Sequence, residues 1–125
     1  MISAQRSGMA LIYDIPHPTT GCWDVPEIVR CGDDAVLRYD YETEDGTFAW
    51  AEIRFRNAVV FHLVVVDQCT IEHLSAYSKV ISVANSAWAH DANTSASTPL
   101  THYRAFFDDH VGCFEVLAES VECPD

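Results

Sequence analysis

The strongest constraint on the fold is the alternation of side chains on both sides of Gly46. A three-residue loop, Glu44-Asp45-Gly46, with Gly46 in the left-handed conformation, pairs Thr43 with Thr47. This register places apolar residues opposite one another on one face: Leu37 with Ile53, Tyr39 with Ala51, and Tyr41 with Ala49. The other face pairs Arg38 with Glu52 and Asp40 with Trp50. A two-residue turn would mix charged and aromatic side chains, so the sequence predicts an antiparallel hairpin in this one register.

Three further segments precede or follow this hairpin. Met9 to Asp14 has the composition of a short strand, whereas the prolines and glycines from Ile15 to Gly32 indicate an ordered loop. Val59 to Val66 is apolar and β-branched at nearly every position, which favours a central strand covered on both faces. His62 interrupts this run, and a neutral histidine of the core is the simpler interpretation of it.

From Thr70 to Trp88 the apolar residues recur at helical spacing. This stretch predicts a helix that Thr70 caps, with Ile81 and Trp88 buried against a sheet. The β-branched residues at 80, 81 and 83 weaken its continuity. A break near Ser82, with a second short helix through Trp88, is the alternative.

Two strands near the C-terminus, Leu100 to Asp108 and Cys113 to Val121, flank a turn at residues 109–112. Closure of this turn by two or four residues gives the same register. The predicted pairs on the apolar face are Phe107 with Phe114, Ala105 with Val116, and Tyr103 with Ala118. On the other face they are Phe106 with Glu115, Arg104 with Leu117, and His102 with Glu119.

These elements predict a single domain, residues 1–125, of the α+β class. We expect an antiparallel sheet of about five or six strands, with one helical region packed on one face.

The net charge of the chain limits the classes of partner that we expect it to bind. Seven Lys and Arg against nineteen Asp and Glu give a formal charge of -12. Such a surface repels phosphate backbones and anionic lipid, so neither nucleic acid nor a membrane is an expected partner. The longest apolar run, Ala58 to Val66, is also far shorter than the roughly 20 residues of a membrane helix. A basic protein partner is compatible with this charge.

The N-terminal residues contain no secretory hydrophobic segment, which predicts a cytoplasmic protein. The five cysteines are odd in number and never spaced as CxxC, so we expect reduced thiols, with a Cys22–Cys31 bridge as the less favoured alternative. No HExxH spacing and no glycine-rich phosphate loop occurs. The sequence therefore predicts neither a metal nor a cofactor.

The predicted C-terminal hairpin gathers titratable side chains on its polar face: His102, Arg104, Glu115 and Glu119. A glutamate beside a histidine can orient the ring and raise its basicity, as general-base chemistry requires. Charged pairs across an exposed sheet face are the more common structural explanation. If the protein is an enzyme, the candidate catalytic residues are His102, Glu119, Tyr103 and His62.

The segment Thr101 to Glu122 carries Phe107-Asp108, then Gly112-Cys113-Phe114-Glu115-Val116, then Ala118-Glu119-Ser120. This pattern resembles the C-terminal part of a group of small uncharacterised bacterial proteins. Upstream, Val83 to Trp88 is similar to a Val-Glu-x-x-Ser-x-Trp segment of the same group, with Ala84 in place of the acid. The resemblance implies no particular activity. Small size and acidity are traits that the group shares with toxin-neutralising immunity proteins.

Two functions follow as hypotheses. The first is a non-catalytic, immunity-like interaction protein whose acidic turns mask a basic protein partner; its expected contact residues are Glu42, Glu44, Asp45, Asp108 and Asp109. The alternative is a small-molecule-binding protein or small biosynthetic enzyme with a pocket between sheet and helix. A closed core with acids on one face favours the first, and a cavity above roughly 300 Å³ lined by His and Tyr favours the second.

Overall fold

The computed structural model of the protein describes residues 9–15, 26–74, 76, 79–106 and 112–124. Within these residues, five strands come before the first helical turn and three strands follow the last helix. The strands are β1 (Met9–Asp14), β2 (Glu27–Cys31), β3 (Asp34–Glu42), β4 (Phe48–Arg56), β5 (Val60–Val65), β6 (Lys79–Val83), β7 (Thr101–Phe106), β8 (Gly112–Ala118) and β9 (Ser120–Glu122). A 3-10 turn (Val66–Gln68) and helix α1 (Ile71–Leu74) follow β5, and helix α2 (Ala87–Asn93) follows β6.

The described strands form two antiparallel sheets. The first has five strands in the order β1-β6-β7-β8-β5, and the second has four in the order β2-β3-β4-β9. Large side chains of both sheets are buried between them, and the rings of Phe55 and Tyr103 meet there at 5.7 Å. Apolar burial between two facing sheets is the main stabilising force of such a sandwich.

The outer face of the first sheet has its own apolar cluster. Ile81, Phe106 and Cys113 pack there with Ala76, which follows α1. Helices α1 and α2 both contact β7. The antiparallel strands of the fold prediction are confirmed. Two sheets replace the single predicted sheet, and only two short helices lie against β7, so the described residues form a sheet-dominated fold instead of a sheet with one long helical region.

The hairpin of β3 and β4 has the predicted register, including Leu37 opposite Ile53 and Arg38 opposite Glu52. Gly46 has a φ of 86°, and Thr43 N donates to Thr47 O at the base of the loop. A side chain at Gly46 would be strained in this conformation. The alternation of apolar and polar side chains was therefore sufficient to predict how β3 and β4 pair.

The predicted loop from Ile15 to Gly32 is wrong in its last part, because β2 pairs with β3 there. Residues 16–25 of that loop lie outside the described residues, as does Cys22 of the alternative disulfide. Prolines occur up to Pro26, but none occurs within β2 itself. The prolines and glycines on either side of β2 favoured a loop, and this short edge strand was therefore not predicted.

The predicted helix from Thr70 to Trp88 is wrong over its central part, although α1 lies near its start and α2 contains Trp88, as the alternative with a second short helix predicts. Its centre is strand β6, which pairs with β1 on one side and β7 on the other. Val80 faces the inter-sheet core and Ile81 faces the helices, and both are buried. β-branched side chains favour such a doubly covered strand over a helix. Ile71, which the helical pattern placed on the buried stripe, is 83% exposed.

Strand β5 is not the central strand that its composition predicts. Among the described strands it pairs with β8 alone and ends the first sheet, and its residues Val60, Leu63 and Val65 are 38%, 41% and 50% exposed. His62 is exposed as well, which contradicts its interpretation as a core histidine. Apolar composition does not distinguish an edge strand from a central one when the edge retains apolar side chains.

The C-terminal hairpin is shifted by two residues from the predicted register. Arg104 lies opposite Glu115, and His102 lies opposite Leu117 instead of Glu119. A shift of two residues leaves every side chain on its predicted face, so alternation carries no information about it. Phe107 and the turn residues 108–111 lie outside the described residues.

No helix among the described residues is both long enough and apolar enough to cross a membrane.

Candidate functional site

Charged side chains meet beneath the helices on the outer face of the first sheet. Strand alternation brings His102 and Arg104 of β7 and Glu115 of β8 to this face, and α1 adds His73. Glu115 is only 4% exposed, and His102 is buried as well. A buried carboxylate is costly unless hydrogen bonds and an opposite charge compensate for the lost water.

Glu115 receives that compensation chiefly from His102, Arg104 and His73. Its Oε1 lies 2.5 Å from His102 Nε2, while its Oε2 accepts from Arg104 Nε at 2.9 Å and lies 3.0 Å from His73 Nε2. Burial by itself raises the pKa of the Glu115 carboxyl, but the hydrogen bond from His102 and the charge of Arg104 outweigh burial and lower that pKa below its ordinary value. Glu115 is therefore an ionised acceptor at neutral pH.

The ionised carboxylate determines where the two histidines carry their protons. Thr70 N donates to His73 Nδ1 at 2.8 Å, so His73 carries its proton on Nε2 and donates it to Glu115. Glu115 can only accept, so His102 also presents a protonated Nε2 to it. In the neutral form of His102, Nδ1 is consequently the basic nitrogen, and it points away from Glu115.

That basic nitrogen faces a serine. Ser86 Oγ lies 2.7 Å from His102 Nδ1 and accepts a hydrogen bond from Ala89 N at 3.1 Å. Ser86 is the N-cap of α2, with an extended backbone. Asn85 just before it has a φ of 57°, a left-handed conformation that asparagine tolerates, and it turns the chain from β6 into α2.

Trp88 covers the histidine of this arrangement. Its ring meets the His102 ring edge-on, with 5.0 Å between centroids, and lies 5.3 Å from the ring of His62. Trp88 is half-buried, so it packs against the sheet less completely than the helical pattern predicts. It therefore packs directly against the ring of His102.

A cavity of about 700 Å³ opens between the first sheet and α2. The described residues that line it come from β1, β6, α2, the start of β7 and the segments just before α2 and β7. Apart from the two histidines, their side chains are uncharged at every pH. They are Ala10, Ser82, Val83, Ala84, Asn85, Ser86, Ala89, His90, Asn93, Leu100, Thr101 and His102. The volume of the cavity lies within the range of about 300 to 1,000 Å³ typical of small-molecule sites. Ser86 and His102 are therefore both part of a cavity wall.

The structure separates the other candidate catalytic residues from this wall. Tyr103 points to the opposite face of β7, into the inter-sheet core, where burial raises the pKa of its hydroxyl. Glu119 is exposed where the chain crosses from β8 to β9, and it accepts from Asn57 Nδ2 at 3.0 Å. His62 contacts Trp88 at the edge strand. Of the four candidates, only His102 lines the cavity.

Ser86 and His73 were missed as site residues. A serine directly before a helix is a recognisable N-cap signal, but the predicted helix ran through position 86 and hid it. His73 reaches Glu115 only because a short helix ends near β8, and no sequence spacing encodes that contact.

Two of the acidic residues expected to bind a partner, Glu44 and Asp45, lie away from this cavity. Glu44 and Asp45 are exposed in the β3–β4 loop, in the second sheet. Hydrogen bonds from Thr43 and Thr47 lower the pKa of Asp45 to about 2, so this carboxylate stabilises the loop itself. The Glu42 side chain and residues Asp108 and Asp109 lie outside the described part of the structure.

Neither metal ligation nor a reactive thiol is indicated in the described part of the chain. No group of three or more His, Cys, Asp or Glu side chains there could hold a metal ion. Cys31, Cys69, Cys113 and Cys123 are unpaired thiols. Burial raises the pKa of Cys113, next to the carboxylate of Glu115, so its thiol stays protonated.

Comparison with protein-family models, curated proteins and solved structures found no match to this chain.

Proposed function

We propose that the protein binds a small, uncharged organic molecule in the cavity between the first sheet and α2. The observation that carries this proposal is the presence of Ser86 and His102 in the wall of a cavity of about 700 Å³. Binding sites commonly combine an apolar lining with a few oriented polar groups. Here Ala10, Ala84 and Leu100 supply apolar surface beside the serine and histidine.

The chemistry of the lining favours an uncharged molecule. Among the described residues that line the cavity there is no Asp, Glu, Lys or Arg. A charged guest would lose its hydration there without gaining an opposite charge. The hydroxyls and amides of the wall instead suit a molecule with one or two hydrogen-bonding groups on an apolar body.

A titration with uncharged aromatic amides, beginning with acetanilide, tests this proposal. In ¹H–¹⁵N spectra we expect shifts concentrated at residues 82–86 and 100–102. Ala84→Phe fills the cavity from an exposed position and is expected to weaken binding by at least about tenfold, or about 1.4 kcal/mol. Ala87→Phe is the matched control, because Ala87 is exposed nearby but does not line the cavity. No binding, or equal binding by both variants, contradicts the proposal.

A second candidate function is the immunity-like interaction protein that masks a basic partner. Its support is the formal charge of -12 together with the exposure of Glu44 at a loop tip. Like the first candidate, it requires no catalysis. Long-range attraction by an acidic surface accelerates association with a basic protein.

Charge reversal at Glu44 tests this second candidate. A basic protein captured from the source cells at low salt is identified and purified, and its association rate is measured. Glu44→Lys is expected to slow association about tenfold at low salt and little at high salt, because salt screens steering over about 10 Å at 0.1 M. Glu27→Lys, on β2, is the control. Asp45 is unsuitable because it holds the loop. Rates that do not change at any salt concentration exclude this surface.

A further inference from the structure

We propose that Ser86 is a nucleophile for which His102 acts as general base, and that the cavity accepts a small uncharged ester for hydrolysis. This inference rests on the proposed function, since the ester occupies the same cavity. Three residues carry it: Ser86 at the start of α2, His102 in β7 and Glu115 in β8.

The geometry satisfies the requirements of an activated serine. Its hydroxyl lies 2.7 Å from a ring nitrogen, and the opposite nitrogen of the same ring lies 2.5 Å from a buried carboxylate. Both distances are within hydrogen-bonding reach, as a nucleophile, its base and the group that orients the base require. This chain of three groups is unnecessary for helix capping, which needs only the contact between Ser86 and Ala89 N.

The proton positions also favour the reaction. Glu115 is a positioning residue: it keeps the His102 proton on Nε2, so that Nδ1 has a free electron pair toward the serine. Ala89 N donates to the same hydroxyl oxygen and stabilises negative charge that develops on it. Arg104 and His73 hold the carboxylate in place from the far side.

The reaction balances with water as the only co-reactant. Ser86 Oγ forms a bond to the ester carbonyl carbon while its proton passes to His102 Nδ1. The bond from that carbon to the alkoxy oxygen then breaks, and the leaving alcohol takes the proton from His102. Water repeats the sequence on the acyl-serine and releases a carboxylic acid, restoring the hydroxyl and the neutral ring.

The substrate class follows from the cavity wall and from the whole-molecule charge. The part of the cavity lining that the structure describes offers no Lys or Arg to hold a carboxylate or phosphate, and the net charge of -12 disfavours anions at the surface. A neutral ester with a small acyl group is thus the expected substrate, and an acidic product is repelled on release.

Two measurements on the intact protein test the inference. A biotin-linked fluorophosphonate, which loses fluoride to a reactive serine, is expected to label Ser86, as identified by peptide mass spectrometry. Hydrolysis of p-nitrophenyl acetate is expected to fall by about 10²- to 10⁴-fold in His102→Gln. Labelling of Ser86 by the fluorophosphonate is expected to slow in the same variant, because the base that accepts the serine proton is lost.

Ser86→Asn separates chemistry from folding, since asparagine caps a helix as well as serine does. We expect an unchanged melting temperature, no fluorophosphonate label and hydrolysis at the background rate. Ser120→Ala, which removes an exposed serine of β9, should label and hydrolyse like the wild type. Equal hydrolysis by wild type and Ser86→Asn, or labelling spread over exposed serines, overturns the inference.

The same variants keep the two proposals distinct. If acetanilide still shifts the cavity residues while Ser86 is not labelled, the nucleophile is wrong and the binding site stands. If acetanilide does not bind and Ser86 is not labelled, both proposals fail. Labelling of Ser86 that Ala84→Phe prevents supports both of them.

Discussion

Replacing Glu115 with glutamine is expected to lower the free energy of unfolding by about 3 to 5 kcal/mol, because the neutral amide removes the buried negative charge that pairs with Arg104. The amide also presents two hydrogens to side chains that are themselves donors, Arg104, His73 and His102. Urea unfolding followed by circular dichroism measures the change. Glu119→Gln is the matched control, because Glu119 is exposed, and it should change stability by less than about 1 kcal/mol. Equal stabilities of the two variants would show that the buried network is not formed.

The pH dependence of unfolding tests the same carboxylate. The pKa of Glu115 in the folded protein lies below its ordinary value of 4.5, since the bond from His102 and the charge of Arg104 outweigh the effect of burial. A lowered pKa stabilises the folded state fully above the unfolded value and loses that contribution as pH falls through the folded one. The difference in stability between wild type and Glu115→Gln should therefore be constant near neutral pH and narrow below about pH 4.5.

Phe55→Ala is expected to destabilise the protein by about 3 to 5 kcal/mol through loss of apolar burial and formation of a cavity. Phe55 is completely buried between the sheets and packs against Tyr103. Trp50→Ala is the control on the same strand, because Trp50 is 58% exposed on the other face. Its cation–π contact with Arg38 is worth only about 0.5 to 1 kcal/mol at an exposed position. Similar losses for both variants would contradict the packing of the two sheets.

Side-chain alternation correctly predicted which face of its sheet each described residue of the two hairpins occupies. It gave the β3–β4 register in full, because one face had to be apolar and the loop required Gly46. It also brought His102, Arg104 and Glu115 together, since a register error of two residues does not move a side chain to the other face. The same error paired His102 with Glu119, which the structure places apart from it.

What the sequence did not predict depends on long-range packing. The residues of β6 fit a helical stripe when considered alone, and only the neighbours β1 and β7 make a strand the better solution. The apolar composition of β5 is typical of a central strand, although β5 lies at the edge of its sheet. Ser86 can be recognised as a helix N-cap and a site residue only from the structure, in which β6 ends before it and α2 begins after it.

A crystal structure of the protein soaked with acetanilide tests the central claim most directly, since it shows both where an uncharged carbonyl compound binds and how it faces the serine. We expect the amide in the cavity beside α2, with its carbonyl carbon within about 3.5 Å of Ser86 Oγ, the separation of a near-attack arrangement. His102 should retain its contacts with Ser86 and Glu115. An empty cavity in crystals that hold acetanilide elsewhere, or a bound amide turned away from Ser86 and His102, would contradict the account.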